Sequence, residues 1–80
     1  MQKIQKLFGA AVRWRRERMG LSQEDFADKA GIHRTYVSSI ELGKVQVSIG
    51  IAQKLAEALE MPLSRIWKEI EKKLTKEEKE

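Results

Sequence analysis

Apolar residues recur at intervals of three and four along nearly the whole chain, and alternation with a period of two is not sustained anywhere. Such spacing places apolar side chains on one face of a helix. Glycines, serines and the single proline divide the pattern into five segments. We therefore predict an all-α fold, a compact bundle with helices at residues 2–19, 22–30, 33–42, 48–59 and 62–77.

Residues that start and stop helices support these boundaries. Gly20 and Gly31 follow the first and second helices, and glycine ends helices because it adopts the left-handed conformation at low cost. Ser22 and Ser48 precede the second and fourth helices, where a hydroxyl oxygen can accept a hydrogen bond from a free backbone amide. Pro62 suits the start of the fifth helix.

The last two helices carry apolar stripes of helical spacing. The stripe of the fourth helix, which we expect in the core, is Ile49, Ala52, Leu55, Ala56 and Leu59. The stripe of the fifth helix is Leu63, Ile66, Trp67, Ile70 and Leu74. No apolar residue follows, so we expect the charged end, residues 75–80, to fray in solvent.

Length and composition exclude several classes of function. A chain of 80 residues is enough for about one small domain, so we predict a single domain over residues 1–80. The chain has no cysteine and one histidine, His33, which leaves no thiolate nucleophile, no histidine-rich metal site and no paired catalytic base. We therefore predict a protein that is not an enzyme and uses no metal and no cofactor.

The net charge of +4 is concentrated near the amino end. Residues 1–22 hold six basic and one acidic side chain, whereas residues 23–42 hold two basic and four acidic. The overall charge favours a polyanionic partner. No run of apolar residues approaches the roughly 18 of a membrane span or forms the core of a signal peptide, so we expect a cytoplasmic protein with no membrane partner.

Residues 22–42 show the pattern of a helix-turn-helix. Two short predicted helices meet at Gly31, which suits the positive φ of such a turn. Ala27 is small where the two helices cross, and Val37 and Ile40 point from the later helix toward the core. The motif places its second helix, the recognition helix, in the major groove of DNA.

The face of helix 33–42 that is turned away from the core carries small polar residues. On a helical wheel of about 100° per residue, Thr35 and Ser39 point outward, and Arg34 projects sideways from the first turn. Hydroxyl groups permit close approach to base edges, and arginine binds guanine O6 and N7. The predicted base-reading residues are Arg34, Thr35, Ser38 and Ser39. The same residues also suit an ordinary solvated helix, and the pattern alone leaves both interpretations open.

This region resembles one known family. The similar residues are Leu21 to Ala27, Gly31 and Val37 to Gly43. They resemble the Cro/cI-type helix-turn-helix regulators, of lambda-repressor-like fold, over roughly residues 8–67. The Arg34-Thr35-Tyr36 tripeptide and the chain length are similar to the controller proteins of restriction-modification systems and to small phage repressors. The resemblance implies a transcriptional regulator that binds a palindromic operator in double-stranded DNA as a homodimer, with RNA polymerase as a candidate protein partner.

The resemblance also implies roles for individual residues. Arg16 and Glu41 match a pair that bridges the first and third helices, and Gln23 matches a glutamine that binds the DNA backbone. The other residues that match backbone-contacting positions are Tyr36, Lys44, Gln46 and Ser48. His33 departs from the family pattern, because it replaces the usual capping Ser, Thr or Asp. The cap is therefore in doubt, and His33 is either structural or, when protonated, a phosphate contact.

The fifth helix, 62–77, carries more apolar surface than one small core can cover. We expect a second copy of the chain to cover the rest, through Leu63, Ile66, Trp67, Ile70 and Leu74. Two alternatives stay open: all five residues complete the core of one chain, or the helix binds a different protein, as in an antitoxin or antirepressor. Trp14, which lies among arginines, has no assignment from the sequence.

Overall fold

The computed structural model describes residues 2–79 and contains five α-helices in that range. They are α1 (Gln2–Arg18), α2 (Gln23–Ala30), α3 (Arg34–Glu41), α4 (Ile49–Ala58) and α5 (Leu63–Lys79). The described residues contain no strand, and none of their helices is both long and apolar enough to cross a membrane. The prediction of an all-α fold with five helices is confirmed, with each boundary within two residues of the predicted one.

The predicted capping residues act as expected at the ends of the shorter helices. The hydroxyl oxygens of Ser22 and Ser48 accept hydrogen bonds from the backbone amides of Asp25 and Ile51, at 3.0 and 3.1 Å. Gly31 ends α2 with a φ of 73°, in the left-handed conformation. These local interactions explain why the sequence predicts the boundaries closely.

α5 ends at Lys79, two residues past the predicted end at residue 77. The fraying of residues 75–80 in solvent stays a prediction. Residues 75–79 contain neither glycine nor proline, and Lys and Glu are good helix formers, so nothing in the local sequence ends the helix. Residue 80, the last of the segment expected to fray, lies outside the described residues.

Every helix contributes at least one fully buried side chain to a shared core. The residues that are at most 1 % exposed include one from each helix in turn: Val12, Phe26, Ile40, Leu55 and Ile66. Burial of such a side chain stabilises the fold by about 1.5–3 kcal/mol. α3 packs against α1 and α2 packs against α4, so the positions of α2 and α3 are determined by these contacts as well as by the turn between them.

Ile49 does not join this core, although the sequence pattern placed it there. Its side chain is 84 % exposed, whereas Leu55 of the same helix is completely buried. Two successive steps of three residues, from Leu55 to Ala52 and on to Ile49, rotate the side chain by about 120° around the helix. That rotation turns Ile49 away from the core and leaves an apolar side chain at the start of α4 in solvent.

α1 crosses α3 at Gly9, where the two backbones come into direct contact. A Cβ atom at this position would lie 2.1 Å from the carbonyl oxygen of Ile40 and 2.8 Å from that of Glu41. Only a residue without a side chain allows this approach. Gly9 therefore sets the distance between α1 and the carboxyl end of α3.

We predict that Gly9→Ala lowers the free energy of unfolding by about 1–3 kcal/mol, as overpacking of a tight contact does, although alanine favours helix more than glycine. Urea denaturation measures the difference. Gly50→Ala is the matched control, because the only atom near its Cβ position is Ser48 Oγ, at 3.9 Å. The control should be neutral or slightly stabilising, and equal effects of the two substitutions would show that the Gly9 contact is not needed.

Candidate nucleic-acid interface

α2 and α3 form the helix-turn-helix that the sequence predicts. The turn is closed by hydrogen bonds from the backbone amides of Gly31 and Ile32 to the carbonyl oxygens of Asp28 and Ala27, at 3.2 and 3.0 Å. Ala27 is 2 % exposed where the helices pack, which leaves no room for a larger side chain. The turn thus holds α3 rigidly against α2.

His33 supplies the cap of α3 that the sequence left in doubt. Its Nδ1 accepts a hydrogen bond from the backbone amide of Thr35 at 3.2 Å, and its own backbone is extended, as is usual for a capping residue. His33 therefore caps the amino end of α3.

The outer face of α3 brings the predicted base-reading residues together. Val37 and Ile40, each 1 % exposed, anchor the inner face, so the opposite side is turned to solvent. Arg34 and Thr35 are exposed and Ser38 and Ser39 are half-buried. Within residues 2–79 the four side chains form no hydrogen bond or ion pair with one another or with the rest of the chain. Their polar groups are available to a ligand.

Leu42 extends the same face with an apolar side chain. It is the C-cap residue of α3 and is 52 % exposed. On the helical wheel it lies about 20° from Thr35, in line with the hydroxyl groups. In the sequence, Leu42 stands only in the run that resembles the family motif, and the helical wheel was the signal that could have placed it on this face.

Of the residues predicted to contact the DNA backbone, Tyr36 lies in α3 and the others lie before or after this helix. Lys44, Gln46 and Ser48 are exposed in the segment between α3 and the start of α4. Gln23 is half-buried at the start of α2, and its amide nitrogen donates a hydrogen bond to Glu41 Oε1 at 3.0 Å. Its amide oxygen is left for another contact. Tyr36 is half-buried, with its ring against the edge of the core.

A buried ion pair joins α1 to α3, between the two residues that the family resemblance relates. Arg16 Nε and Nη2 donate hydrogen bonds to Glu41 Oε2 and Oε1 at 2.7 and 3.1 Å, and Arg16 Nη1 donates to the carbonyl oxygen of Leu21 at 2.7 Å. Arg16 and Glu41 are 8 % and 7 % exposed. The hydrogen bonds to Glu41 raise the pKa of the Arg16 guanidinium. The guanidinium therefore keeps its positive charge, and the ion pair aligns α3 with α1.

We predict that Glu41→Ala lowers the free energy of unfolding by about 3 kcal/mol, because it leaves the buried charge of Arg16 with only the exposed carboxylate of Glu17, 4.0 Å away, as a counter-charge. Chemical denaturation measures the loss. Lys29→Ala is the control, since it removes a Lys29–Glu60 pair whose side chains are 36 % and 70 % exposed and which contributes little to stability because water and salt screen it. Comparable losses in the two variants would contradict an essential role for the buried pair.

The five residues predicted on the dimer face of α5 do not share one environment. Ile66 and Ile70 are each 1 % exposed because they lie on the inner side of α5, so they have almost no surface left for a partner. Leu63 and Leu74 are half-buried, and Trp67 is 43 % exposed. The exposure of Trp67 also disagrees with the alternative that all five residues complete the core.

An apolar groove lies beside the exposed part of α5. Its apolar lining comes from α1, from the segment before α4 and from α4 and α5: Ile4, Phe8, Val47, Ile49, Leu63 and Trp67. Ile49 and Trp67 leave much of their apolar surface in solvent at this groove. The sequence indicated Leu63 and Trp67 for this surface, whereas it missed Ile49.

In this chain two short helices meet at a glycine turn, and the second presents polar side chains that have no partner within residues 2–79. This is the architecture of a helix-turn-helix protein. Comparisons with known proteins agree. The helix-turn-helix family model matches residues 12–66. Control protein C.MunI from Mycoplasma sp is 41 % identical over 73 residues, which are 90 % of this chain and 99 % of that protein. Control protein C.BamHI from Bacillus amyloliquefaciens is 42 % identical over 57 residues, 70 % of each chain.

The fold is also similar to that of a solved structure. The restriction-modification controller protein C.AhdI from Aeromonas hydrophila superposes with a TM-score of 0.74 and 38 % identity, over 76 % of this chain and 92 % of that one. The chain therefore belongs to the helix-turn-helix family, as a DNA-binding regulator of the restriction-modification controller type.

Proposed function

We propose that this regulator binds a palindromic operator as a homodimer and controls transcription from the cytoplasm, without catalytic activity. One observation carries the proposal: the outer face of α3 holds Arg34, Thr35, Ser38 and Ser39 without side-chain partners among residues 2–79. Polar groups on a surface of this kind are matched by the donors and acceptors of the major groove. The helix is held by its cap at His33 and by its anchors in the core, so it is presented in one orientation.

The residues around α3 suit the sugar–phosphate backbone. Lys44 provides a positive charge, and Ser48 stands at the amino end of α4, where free backbone amides favour an anion. Residues 23–42 carry more acidic than basic side chains, but Glu41 is buried and paired with Arg16. Its charge is therefore largely neutralised, and the repulsion of phosphate is weaker than the sequence count implies.

We predict that Arg34→Ala weakens operator binding by about 1–3 kcal/mol and relaxes the preference at one base pair, because a bidentate contact to guanine is lost. The operator is first identified by selection from a random duplex pool, and binding is then measured by fluorescence anisotropy. Lys44→Ala is the control, and it should weaken binding to operator and random DNA by the same factor. Equal losses for Arg34→Ala on both DNAs would exclude a base-reading role.

The homodimer is proposed from the apolar groove beside α5. Ile49, at 84 % exposure, and Trp67, at 43 %, would be covered if the groove of one copy packed against the groove of another about a twofold axis. The twofold axis would set the two recognition helices about one turn of DNA apart, roughly 34 Å. RNA polymerase is the proposed protein partner at the promoter. The support for the dimer is the exposed apolar area, which single small domains normally bury.

We predict that Ile49→Asp shifts the monomer–dimer equilibrium toward the monomer by at least about tenfold, because a charge would be buried in the interface without a partner. Sedimentation equilibrium measures this shift. The substitution is at an exposed position, so the fold should be retained. Met19→Asp is the control, because Met19 is 37 % exposed and does not line the groove. A monomeric wild-type protein would contradict the dimer and favour the antitoxin or antirepressor alternative.

A further inference from the structure

α1 presents an aromatic and basic surface that takes no part in the proposed function. Trp14 is 52 % exposed, and the guanidinium carbons of Arg15 and Arg18 lie 5.2 and 4.8 Å from the centroid of its ring. We call these three residues the Trp14 surface. Both distances are within the range of cation–π attraction, so the two arginines are held against the indole.

The charges of the Trp14 surface are only partly neutralised within the chain. Arg15 forms an ion pair with Glu69 of α5, which fixes that arginine and ties α1 to α5. Neighbouring Arg13 pairs with Glu17. Arg18 has no carboxylate partner among residues 2–79, and its one recorded contact is with the ring of Trp14. A guanidinium stacked on an aromatic ring keeps its N–H edges free to bind a carboxylate.

The position of Trp14 on α1 separates this surface from the outer face of α3 and from the apolar groove. Five residues along a helix correspond to a rotation of about 140°, so Trp14 points away from α3, which α1 contacts at Gly9. It also lies about 120° around the helix from Phe8, which lines the apolar groove. Trp14, and Arg18 at about 40° from it around the helix, therefore remain accessible when α3 is on DNA and when the groove is covered by a second copy. Arg15 lies only about 20° from Phe8 around the helix and is held by its ion pair with α5.

We infer that the Trp14 surface docks an acidic protein segment, one that sets carboxylates beside an apolar side chain, while the regulator is bound to DNA. The carboxylates would bind the guanidinium edges, above all that of Arg18, and the apolar side chain would cover the exposed indole. Trp and Arg are the residues that most often dominate binding energy in protein interfaces. The inference goes beyond the proposed function, since it concerns a second partner bound on a different face.

The probe is a display library of short random peptides, selected on the free wild-type protein with counter-selection against the Trp14→Ala/Arg18→Ala double variant. We expect the enriched peptides to combine Asp or Glu with Leu, Phe or another apolar residue. Absence of any peptide that discriminates between the two proteins would overturn the inference. The selection needs no DNA, so it stands or fails independently of operator binding.

Enriched peptides are then synthesised with a fluorescent label, and binding is measured by anisotropy. We expect Trp14→Ala and Arg18→Ala each to weaken binding at least about tenfold, which corresponds to 1.4 kcal/mol, whereas Arg13→Ala, on the same helix and already paired, should change it little. Peptide affinity should be the same with and without saturating DNA. Displacement of the peptide by DNA, or loss of DNA affinity in Trp14→Ala, would assign the surface to nucleic acid and reject the protein partner.

Thermal unfolding followed by circular dichroism controls for folding. Trp14 and Arg18 are on the solvent side of α1, so each single variant should keep a cooperative transition close to that of the wild type. Arg18→Lys gives a further test in a folded protein, because lysine keeps the charge but lacks the planar guanidinium. We expect Arg18→Lys to bind the peptide with intermediate affinity, and binding no better than that of Arg18→Ala would contradict the role of charge.

Discussion

A buried ion pair fixes the carboxyl end of α3 against α1. Arg16 on α1 and Glu41 at the end of α3 are almost completely removed from water, and two such charges are tolerated only when each has a partner and enough hydrogen bonds. Gln23 and the carbonyl oxygen of Leu21 complete the set. A shift of α3 by one turn would break all of these interactions together, so the pair selects one position of α3 rather than merely adding stability.

The contact at Gly9 makes this ion pair geometrically feasible. Because α1 has no side chain where it crosses α3, the carbonyl oxygens of Ile40 and Glu41 lie against its backbone, which brings Arg16 within reach of Glu41. The apolar side chains Val37 and Ile40 then fill the inner side of α3. The ion pair and the apolar packing both lie on the inner side of α3. The hydroxyl groups and the arginine side chain on its outer side form no hydrogen bond or ion pair within residues 2–79.

α1 is the element on which the three surfaces of the molecule depend. One side contacts α3 at Gly9, a second lines the apolar groove through Phe8, and a third exposes Trp14. These directions differ by about 100–140° around the helix, at about 100° per residue. In our proposals DNA binds the outer face of α3, a second copy covers the apolar groove and a protein partner binds at Trp14.

Local sequence determined the five helices, the serine caps, the turn at Gly31 and the polar face of α3, because each depends on residues within one or two helical turns. Tertiary structure alone decided that Gly9 contacts α3, that Ile49 is in solvent and that Ile66 and Ile70 are buried. Helical spacing shows which side chains share a face, but the neighbour that covers a face comes from elsewhere in the chain. Tertiary structure also decided that Trp14 is exposed, because its local sequence does not show which residues pack beside it.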